Sequence, residues 1–334
     1  MLKSRKRLFR FLIFIVLGIV LAGCSGKQTQ QRETGQIQQA KWPEKDIVII
    51  VPYKAGGGYD IKARAVAPLI EKYLPNKVNV IVKNVPGAEA KVGTLEMANS
   101  KPDGYTLALV DPIQLGTMQK QGGFESLDPK TFTYLGQLDA APSLMVIRTK
   151  GRFEGFDDMR GQNVSFGMLG TNTLVNIAVA NALGAKPTLI PYDSTPEGCL
   201  AVARGDLDVW IATAYTVYKQ VQTLEGKLKP LLLIGGRTPQ FPDTLKTAKE
   251  AGLELDETTG LCRVIIAGPP NLDQQAKKVL SEAIDKATHD PEFAEQLKKA
   301  GYIAAPLTGT ELQKAVDQVF TLVDKYQQWI PKKK

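Results

Sequence analysis

A glycine-rich turn between a buried strand and a helix is the feature that most constrains the fold of this chain. Ile47–Val51 is a continuous apolar, β-branched run that ends at a proline, which is typical of a buried parallel strand. Over residues 61–73, apolar side chains recur at the spacing of one helix face. Gly56, Gly57 and Gly58 are therefore predicted to form a strand-to-helix turn.

This turn has the composition of an anion-binding site. Consecutive glycines let backbone N–H groups approach a ligand, and the N-terminus of the following helix adds a partial positive charge. A Cβ at Gly57 is expected to obstruct that approach. The turn is not a dinucleotide fingerprint, because Ile61 stands where the third glycine is needed, and no Gly-Lys-Ser/Thr of a phosphate loop follows. The glycines alone fit a flexible turn equally well.

The first 23 residues predict an export signal. A basic start precedes the apolar run Phe11–Ala22, which is short for a membrane span, and small residues precede Cys24. This site resembles a bacterial lipobox, with Cys24 as the lipid-bearing first residue of the mature protein; an uncleaved anchor is the alternative. Residues 24–41 are polar and rich in Gln, which predicts a disordered tether. Either way, we expect an extracytoplasmic protein that is anchored to the cell membrane.

Composition argues against several function classes. Removing the signal lowers the net charge from +8 to +3, and no basic run with interleaved aromatics indicates nucleic-acid binding. The lone histidine, His289, lies in a charged helical stretch, and no Cys/His cluster has metal-ligand spacing. We therefore expect no metal, no cofactor and no Ser-His-Asp catalysis. Cys199 and Cys262 lie far apart in apolar surroundings and are expected to be unpaired, with a disulfide as the alternative.

Strands and helices alternate along most of the mature chain, which predicts an α/β protein with mainly parallel sheets. The alternation stops and restarts, so that two similar lobes are expected, with crossings near residues 144 and 263. The first lobe comprises 42–143 and 264–334, and the second comprises 144–263. Two crossings make a hinge, and ligand pockets favour such interfaces. Ligands gather at the carboxyl ends of parallel strands, here 52–58, 84–90 and Asp111.

Several motifs in a fixed order carry a family resemblance. The segment from Trp42 to about Gly309 resembles the extracytoplasmic substrate-binding proteins of tripartite tricarboxylate transporters, the Bug-type receptors. The matching stretches are Pro52–Asp60 with Ala63-Arg64, Pro102–Leu107, Pro191-Tyr192, Gly205–Asp208 and Gly226–Leu231. This resemblance implies a two-lobed type II periplasmic-binding-protein fold without enzymatic activity. It also implies a monomer that delivers a small organic carboxylate to integral-membrane permease subunits.

The resemblance also implies where the ligand is held. One carboxylate meets backbone and water at the first glycine turn, and another meets the loop Gly170–Thr173 of the second lobe. Together with Asp111, which the strand order suggests, the site prediction takes in the following residues: Tyr53, Ala55, Gly56, Gly57, Gly58, Asp60, Ala88, Asp111, Gly170, Thr171, Asn172, Thr173, Tyr192 and Asp208. Thr171 and Thr173 are alternatively simple helix caps.

This chain departs from the family pattern at acidic positions. Glu89-Ala90 replace two glycines of the second turn, and Asp111 stands where the third strand usually ends in small residues. Asn176 replaces a histidine, and Cys262-Arg263 replace an aromatic pair. Two acids at the pocket would repel a plain dicarboxylate but would suit a ligand ammonium group. Glu89 lies either there or at the surface, and Asp111 either meets the ligand or caps the next segment. An exported enzyme or a sensor subunit remains the alternative function.

Overall fold

The structure is a computed structural model, which describes residues 42–124 and 127–332. The predicted signal peptide, the lipidation site Cys24 and the tether lie outside these ranges. Two five-stranded sheets organise the described chain. In chain order the strands are β1 (Ile47–Val51), β2 (Val80–Asn84), β3 (Thr106–Val110), β4 (Thr133–Ala141), β5 (Ser143–Arg148), β6 (Asn163–Met168), β7 (Lys186–Pro191), β8 (Val209–Thr213), β9 (Leu228–Ile234) and β10 (Cys262–Gly268).

Helices connect the parallel strands and cover both sheets. In chain order they are α1 (Gly58–Tyr73), α2 (Lys91–Ala98), α3 (Pro112–Lys120), α4 (Thr173–Ala182), α5 (Thr195–Arg204), α6 (Ala214–Thr223), α7 (Gln274–His289), α8 (Pro291–Lys299) and α9 (Gly309–Tyr326). No helix within residues 42–124 and 127–332 combines the length and hydropathy that crossing a membrane requires.

Each sheet is the centre of one lobe, so the predicted two-lobed α/β fold is confirmed. The first sheet has the order β2-β1-β3-β10-β4, and the second has the order β7-β6-β8-β5-β9. β1 runs parallel to β2 and β3, whereas β10 runs antiparallel to β3 and β4. Ile47, Ile49 and Ile50 of β1 are fully buried, as a strand covered by helices on both faces should be.

The chain crosses between the sheets twice. It leaves the first sheet after β4 through Pro142 and returns to it at β10. The two crossings lie side by side, since Ser143 Oγ donates a hydrogen bond of 2.9 Å to the carbonyl oxygen of Gly260. The expected two-crossing hinge is therefore present.

An apolar cluster joins the two lobes on one side of the crossings. Ile113 of α3 and Val319 of α9, from the first lobe, pack with Leu174 of α4, from the second. We call this cluster the apolar seam; its buried members are Ile113, Leu174, Ile177, Ala178, Val319, Leu322, Val323, Tyr326 and Ile330.

Most of the predicted elements are present, with differences that have local causes. Helix α1 begins at Gly58 rather than near residue 61, so the last glycine of the turn is already helical. No element was predicted between residues 112 and 143, where α3 and β4 form. Asp111 caps α3 and a proline follows it at the first helical position, which is a recognisable helix start. Cys199 and Cys262 are free thiols, as expected.

Candidate functional site

A cavity of about 250 Å³ lies between the lobes at the carboxyl ends of their strands. The first lobe, the second lobe and the returning crossing all contribute to its wall. The lining residues are Tyr53, Gly58, Tyr59, Lys62, Glu89, Gln114, Leu169, Gly170, Asp193, Thr195, Ala212, Thr213, Thr216, Cys262 and Tyr302.

A larger cavity, of about 590 Å³, lies on the outside of the second lobe between α4, β7 and Trp329. Its wall is apolar apart from Asn181, and it contains no charged side chain among the described residues. Ligand recognition needs convergent polar groups, and of these two cavities the interlobe one brings such groups together from both lobes. We therefore take the interlobe cavity as the candidate site.

The first glycine turn reaches this cavity through one residue. Gly58 begins α1, and a Cβ there would lie 2.8 Å from the Tyr302 hydroxyl oxygen, which is too close for the present packing. Gly57 has an ordinary φ of −80°, and a Cβ there would meet Lys54 O at an ordinary 3.5 Å. A Cβ at Gly57 therefore meets no steric obstacle in this structure, and Gly58 is the glycine where a Cβ would clash; that a side chain at Gly57 obstructs a ligand stays a prediction.

Asp60 fixes the shape of the turn. Its carboxylate accepts a 2.9 Å hydrogen bond from the backbone N–H of Gly56, whose φ is +81°, and further bonds from Arg64. Arg64 and this backbone bond hold the pKa of Asp60 below its usual value, against the effect of burial. Gly56, Gly57, Ala55 and Asp60 are not part of the cavity lining. Asp60 therefore serves to position the start of α1.

The second turn places Glu89 at the cavity through an unusual backbone. Ala88, Glu89 and Ala90 all have positive φ, of 45°, 55° and 74°. Left-handed backbone costs a non-glycine residue about 1–2 kcal/mol, so this turn is strained. Glu89 is solvent-exposed and also lines the cavity, so both placements considered for it hold at once. Its Oε2 lies 3.0 Å from the position of a Cβ on Gly170, across the cleft.

Hydrogen bonds tie this turn to the first one. The Tyr53 hydroxyl donates to Gln114 Oε1 at 2.5 Å, and Gln114 Nε2 donates to the main-chain oxygen of Glu89 at 2.8 Å. Gln114 belongs to α3, so the three strand ends of the first lobe share one polar wall.

A buried ion pair underlies the aromatic part of the wall. Lys62 Nζ lies 2.6 Å from Asp139 Oδ2, and the two side chains are only 5% and 1% exposed. The same ammonium lies 4.3 Å from the ring centroid of Tyr302, which is a cation–π contact. Burial raises the pKa of Asp139, and the charge of Lys62 opposes that rise. Tyr302 in turn meets Tyr215 of the second lobe edge-on at 6.1 Å.

Tyr59 lines the cavity, and its hydroxyl oxygen is buried behind the cavity surface. Its ring packs against Tyr53 with the centroids 4.5 Å apart. The hydroxyl lies near the Cys262 thiol and the Tyr53 hydroxyl but has no partner with hydrogen-bond geometry among the described residues. Burial first, and the neighbouring Cys262 second, raise the pKa of Tyr59 well above its usual value. The hydroxyl group therefore stays protonated at neutral pH.

Asp111 lies behind the cavity wall. It is 2% exposed, and Oδ1 accepts a 2.9 Å hydrogen bond from Ile113 N as the cap of α3. Oδ2 has no partner with hydrogen-bond geometry within the described ranges. Burial raises the pKa of Asp111 to about 6, against the lowering effect of the Cys262 thiol and the start of α3. Asp111 lines a separate space of about 10 Å³, which shares Cys262, Ala212 and Thr213 with the main cavity.

The second-lobe loop contributes Gly170 to the cavity, while its neighbours hold the loop in place. Asn172 is buried; its Oδ1 accepts from Leu169 N and its Nδ2 donates to Ile211 O, both at 2.6 Å. Thr173 is buried at the start of α4, where Asn172 is the N-cap residue. The side chain of Thr171 lies outside the described part of the structure.

Three more residues of the site prediction lie outside the cavity lining. Tyr192 packs edge-on against Trp210, with ring centroids 5.8 Å apart, and the next residue, Asp193, is the one that lines the cavity. Asp208 accepts two 2.9 Å hydrogen bonds from Ser165 and lines another cavity, of about 150 Å³. Ala88 is exposed beside Glu89.

Sequence reasoning missed several lining residues: Tyr59, Lys62, Gln114, Asp193, Thr195, Thr216 and Tyr302. Tyr59 and Lys62 lie within the first five residues of α1, directly after the glycine turn, so their position was a usable signal. Tyr302 has no such signal, because it lies in a loop after α8 that folds back over Gly58.

A model of the tripartite tricarboxylate transporter family receptor matches residues 62–318 of this sequence. The chain belongs to this receptor family. A UPF0065 protein from the gbd 5′ region of Cupriavidus necator is 28% identical over 276 residues, which cover 79% of this chain and 81% of that protein.

Solved structures have the same fold as this receptor-family chain. A TctC solute-binding protein from Polaromonas superimposes with a TM-score of 0.70 at 24% identity, over 86% of this chain and 99% of that one. A protein of R. palustris solved with adipate gives a TM-score of 0.69 at 18% identity, over 86% and 98%. In residues 42–124 and 127–332, no three His, Cys, Asp or Glu side chains form a group suited to a metal ion.

Proposed function

We propose that this chain is an extracytoplasmic receptor that binds a small organic carboxylate in the interlobe cavity and delivers it to membrane permease subunits. The observation that carries the proposal is the cavity itself, which is built from both lobes with the start of α1 in its wall at Gly58. Family membership and the adipate-bound structural neighbour support this ligand class.

The size and chemistry of the cavity agree with a small carboxylate. Its volume of about 250 Å³ is below the roughly 300–1,000 Å³ of pockets that hold drug-sized ligands. Backbone N–H groups at a helix N-terminus bind anions, and α1 and α5 both begin at the cavity, at Gly58 and Thr195. A single chain contains both walls, so we propose that the receptor acts as a monomer.

Calorimetry with a Gly58→Val variant tests the site. The ligand is first identified by native mass spectrometry of the purified protein and by thermal-shift screening of small carboxylates. The valine side chain displaces Tyr302 and covers the start of α1, so affinity should fall at least tenfold, about 1.4 kcal/mol. Gly155→Val is the matched control, because a Cβ there meets nothing within 4 Å. A folded Gly58→Val protein with unchanged affinity would remove this turn from the site.

We propose in addition that a lipid on Cys24 anchors the receptor to the membrane. The small residues before Cys24 motivate this proposal. Cys24→Ala should release the protein from the membrane fraction or leave it unprocessed, whereas the neighbouring Ser25→Ala should not. Normal processing and membrane recovery of the Cys24→Ala protein would exclude lipidation at this residue.

A further inference from the structure

The larger cavity on the outside of the second lobe has no role in the proposed function. Its volume of about 590 Å³ lies within the roughly 300–1,000 Å³ of cavities that hold small-molecule ligands. We call this space between α4, β7 and Trp329 the outer cavity. It shares no lining residue with the interlobe cavity, so it is a separate site.

The wall of the outer cavity suits a neutral, apolar molecule. Residues 173–185, which form α4 and the turn after it, include no charged side chain. Ile177 of α4 and Leu189 of β7 line the cavity from two sides. The polar side-chain groups of the wall are the Asn181 amide and the Trp329 indole N–H, which can bond a neutral polar group. An ionised ligand group would find no opposite charge among the described lining residues.

The rest of the mature chain offers no suitable occupant in its sequence. Residues 24–41 are polar, with Ile37 as their only large apolar side chain. Residues 125–126 are Glu and Ser, and residues 333–334 are both Lys. The apolar run Phe11–Ala22 is expected to leave with the signal peptide. An apolar occupant therefore comes from outside the chain.

The surface beside the outer cavity is unlike an interface between two copies of this chain. Trp329 is 47% exposed, and the other exposed large apolar side chains within the described ranges are Ile81 and Val92. Those two belong to β2 and α2, which do not line the cavity. A stable dimer buries roughly 800 Å² of each partner around an apolar centre. One exposed aromatic residue beside a concave space fits a small molecule better.

The outer cavity is continuous with the apolar seam and therefore adjoins the hinge. Ile177 belongs to both the cavity wall and the seam. Trp329 and Pro331 line the cavity on either side of Ile330, which is a seam residue. These C-terminal residues follow α9 of the first lobe, whereas α4 and β7 belong to the second. A molecule in the outer cavity thus touches both lobes, and its binding depends on their relative arrangement.

Two segments of the second lobe lie against both cavities. Met168, the last residue of β6, lines the outer cavity, and the next residues, Leu169 and Gly170, line the interlobe cavity. β7 is arranged in the same way, with Leu189 at the outer cavity and Asp193, two residues beyond the strand, at the interlobe cavity. Because both cavities exist in the same lobe arrangement, occupancy of one favours the arrangement that the other needs.

We propose that the outer cavity is an effector site for a small neutral molecule with an aromatic or aliphatic body. The body packs between Trp329 and α4, and the Asn181 amide bonds a neutral polar group of the molecule. Occupancy stabilises this lobe arrangement and so raises the affinity of the interlobe cavity for its carboxylate. The site itself goes beyond the proposed function, whereas the coupling rests on it.

A matched pair of dyes tests the site. Phenylnaphthylamine is neutral, anilinonaphthalene sulfonate adds only a sulfonate to it, and both fluoresce on entering an apolar site. The titrations use the mature chain, residues 24–334, with Cys24→Ala so that no protein-bound lipid competes for the dye. We expect one saturable site that binds the neutral dye at least tenfold more tightly than the sulfonate. The absence of a saturable site, or equal or tighter binding of the sulfonate, overturns the proposal.

Variants place the dye in the outer cavity. Ala185→Phe fills the cavity from its wall, and Val92→Phe is the matched control, because it adds a phenyl ring at an exposed position outside the cavity. Ala185→Phe should abolish saturable binding of the neutral dye, and Val92→Phe should leave it unchanged. Trp329→Ala, at an exposed position, should weaken binding at least fivefold and keeps the test independent of how Ala185→Phe folds. Dye binding that neither cavity variant weakens overturns the proposal.

Sedimentation of the same protein tests the other occupant of the cavity. We expect a monomer at the concentrations used for dye binding. A dimer that Trp329→Ala dissociates would show that a second copy of the chain fills the cavity, and the effector site would then be wrong.

Calorimetry tests the coupling with the carboxylate identified for the interlobe cavity. Saturating neutral dye should raise the affinity for that carboxylate at least threefold, and the carboxylate should raise the affinity for the dye by the same factor. Ala185→Phe should bind the carboxylate but lose the effect of the dye. Unchanged or lower carboxylate affinity overturns the effector role. If no carboxylate binds in a broad screen, the proposed function and the effector role both fail, whereas the dye titrations still decide whether the site exists.

Discussion

The two lobes meet in two regions of opposite character, the apolar seam and the interlobe cavity. In the seam, Leu174 of the second lobe and Val319 of the first are fully buried in a close-packed cluster. At the cavity, the lobes approach through Tyr302 against Tyr215 and through Glu89 opposite Gly170. The seam consists of apolar side chains, whereas the cavity wall includes Lys62, whose ammonium pairs with the buried Asp139 behind the wall.

We expect this difference to assign different roles to the two regions, with the seam stabilising the contact of the lobes and the cavity wall recognising the ligand. Apolar burial stabilises the contact of the lobes whether or not ligand is present, at about 25 cal/mol per Å². The cavity wall has polar groups whose desolvation a ligand would compensate. We therefore expect the lobes to move about the seam and the adjacent crossings, with the cavity side opening and closing.

The largest expected effect comes from the ion pair under the cavity. Lys62→Met leaves the Asp139 carboxylate buried without a cation, which should lower the free energy of unfolding by about 3–5 kcal/mol. Adding Asp139→Leu to the same chain should restore most of that loss, because no charge then remains buried. Urea denaturation measures both.

The exposed pair Lys314–Glu311 provides the matched control. Its side chains are 69% and 65% exposed at a separation of 2.9 Å. Lys314→Met should change the free energy of unfolding by less than about 1 kcal/mol. If Lys62→Met costs no more than this control, the pair does not contribute to the wall as the geometry implies.

The second largest effect on the free energy of unfolding is expected from a substitution in the seam. Leu174→Ala removes a fully buried side chain and should lower the free energy of unfolding by about 2–5 kcal/mol. Val92→Ala, at a position 47% exposed, should change it by less than about 0.5 kcal/mol.

The comparison of the two regions predicts further that Gly58→Val lowers ligand affinity with little loss of stability. Equal losses of stability from Leu174→Ala and Gly58→Val would show that the seam is no more important for stability than the cavity wall.

Asp111 lies between the seam and the cavity. Its titration is expected to give the smallest effect, which is on how the free energy of unfolding depends on pH. Because its pKa is about 6 in the folded protein against an ordinary 3.8, the native state retains a proton that the unfolded chain releases. The stability from this group is complete below pH 3.8 and is lost as pH rises through 6. Between pH 4 and 7 the loss is at most about 3 kcal/mol, and solvent penetration reduces it.

Asp111→Asn isolates this contribution. The amide oxygen can still accept from Ile113 N, so the cap of α3 is retained. Urea denaturation of both proteins from pH 4 to pH 7 should show the wild type losing more stability than the variant. Parallel pH profiles would mean that Asp111 titrates in the folded state as it does in the unfolded chain.

Local signals made much of the fold predictable. The apolar run of β1, the glycines and the periodicity of α1 identify a βα unit without any long-range information. The helix α3 was equally accessible through the cap-and-proline pair Asp111-Pro112, and recognising it would have brought Gln114 into the site.

The remaining cavity residues depend on long-range packing. Tyr302 reaches Gly58 only because the loop after α8 folds over α1. The positive φ values at Ala88–Ala90 contradict the local preference of those residues, so the sequence alone would place a different turn there. Asp193 was passed over in favour of its neighbour Tyr192, since the side that each residue faces depends on how the end of β7 packs.

The adjacent crossings make the second lobe a removable unit of the chain. Its entry at Ser143 and its exit at Gly260 are joined by a hydrogen bond, so a lobe grafted from a relative could enter and leave at the same two points without a designed linker. The graft would still need a surface on its α4 that matches α9, or Leu174 and its neighbours would become an exposed, aggregation-prone patch. Exchange of ligand specificity between relatives by recombination is therefore limited by the seam rather than by the points where the chain is joined.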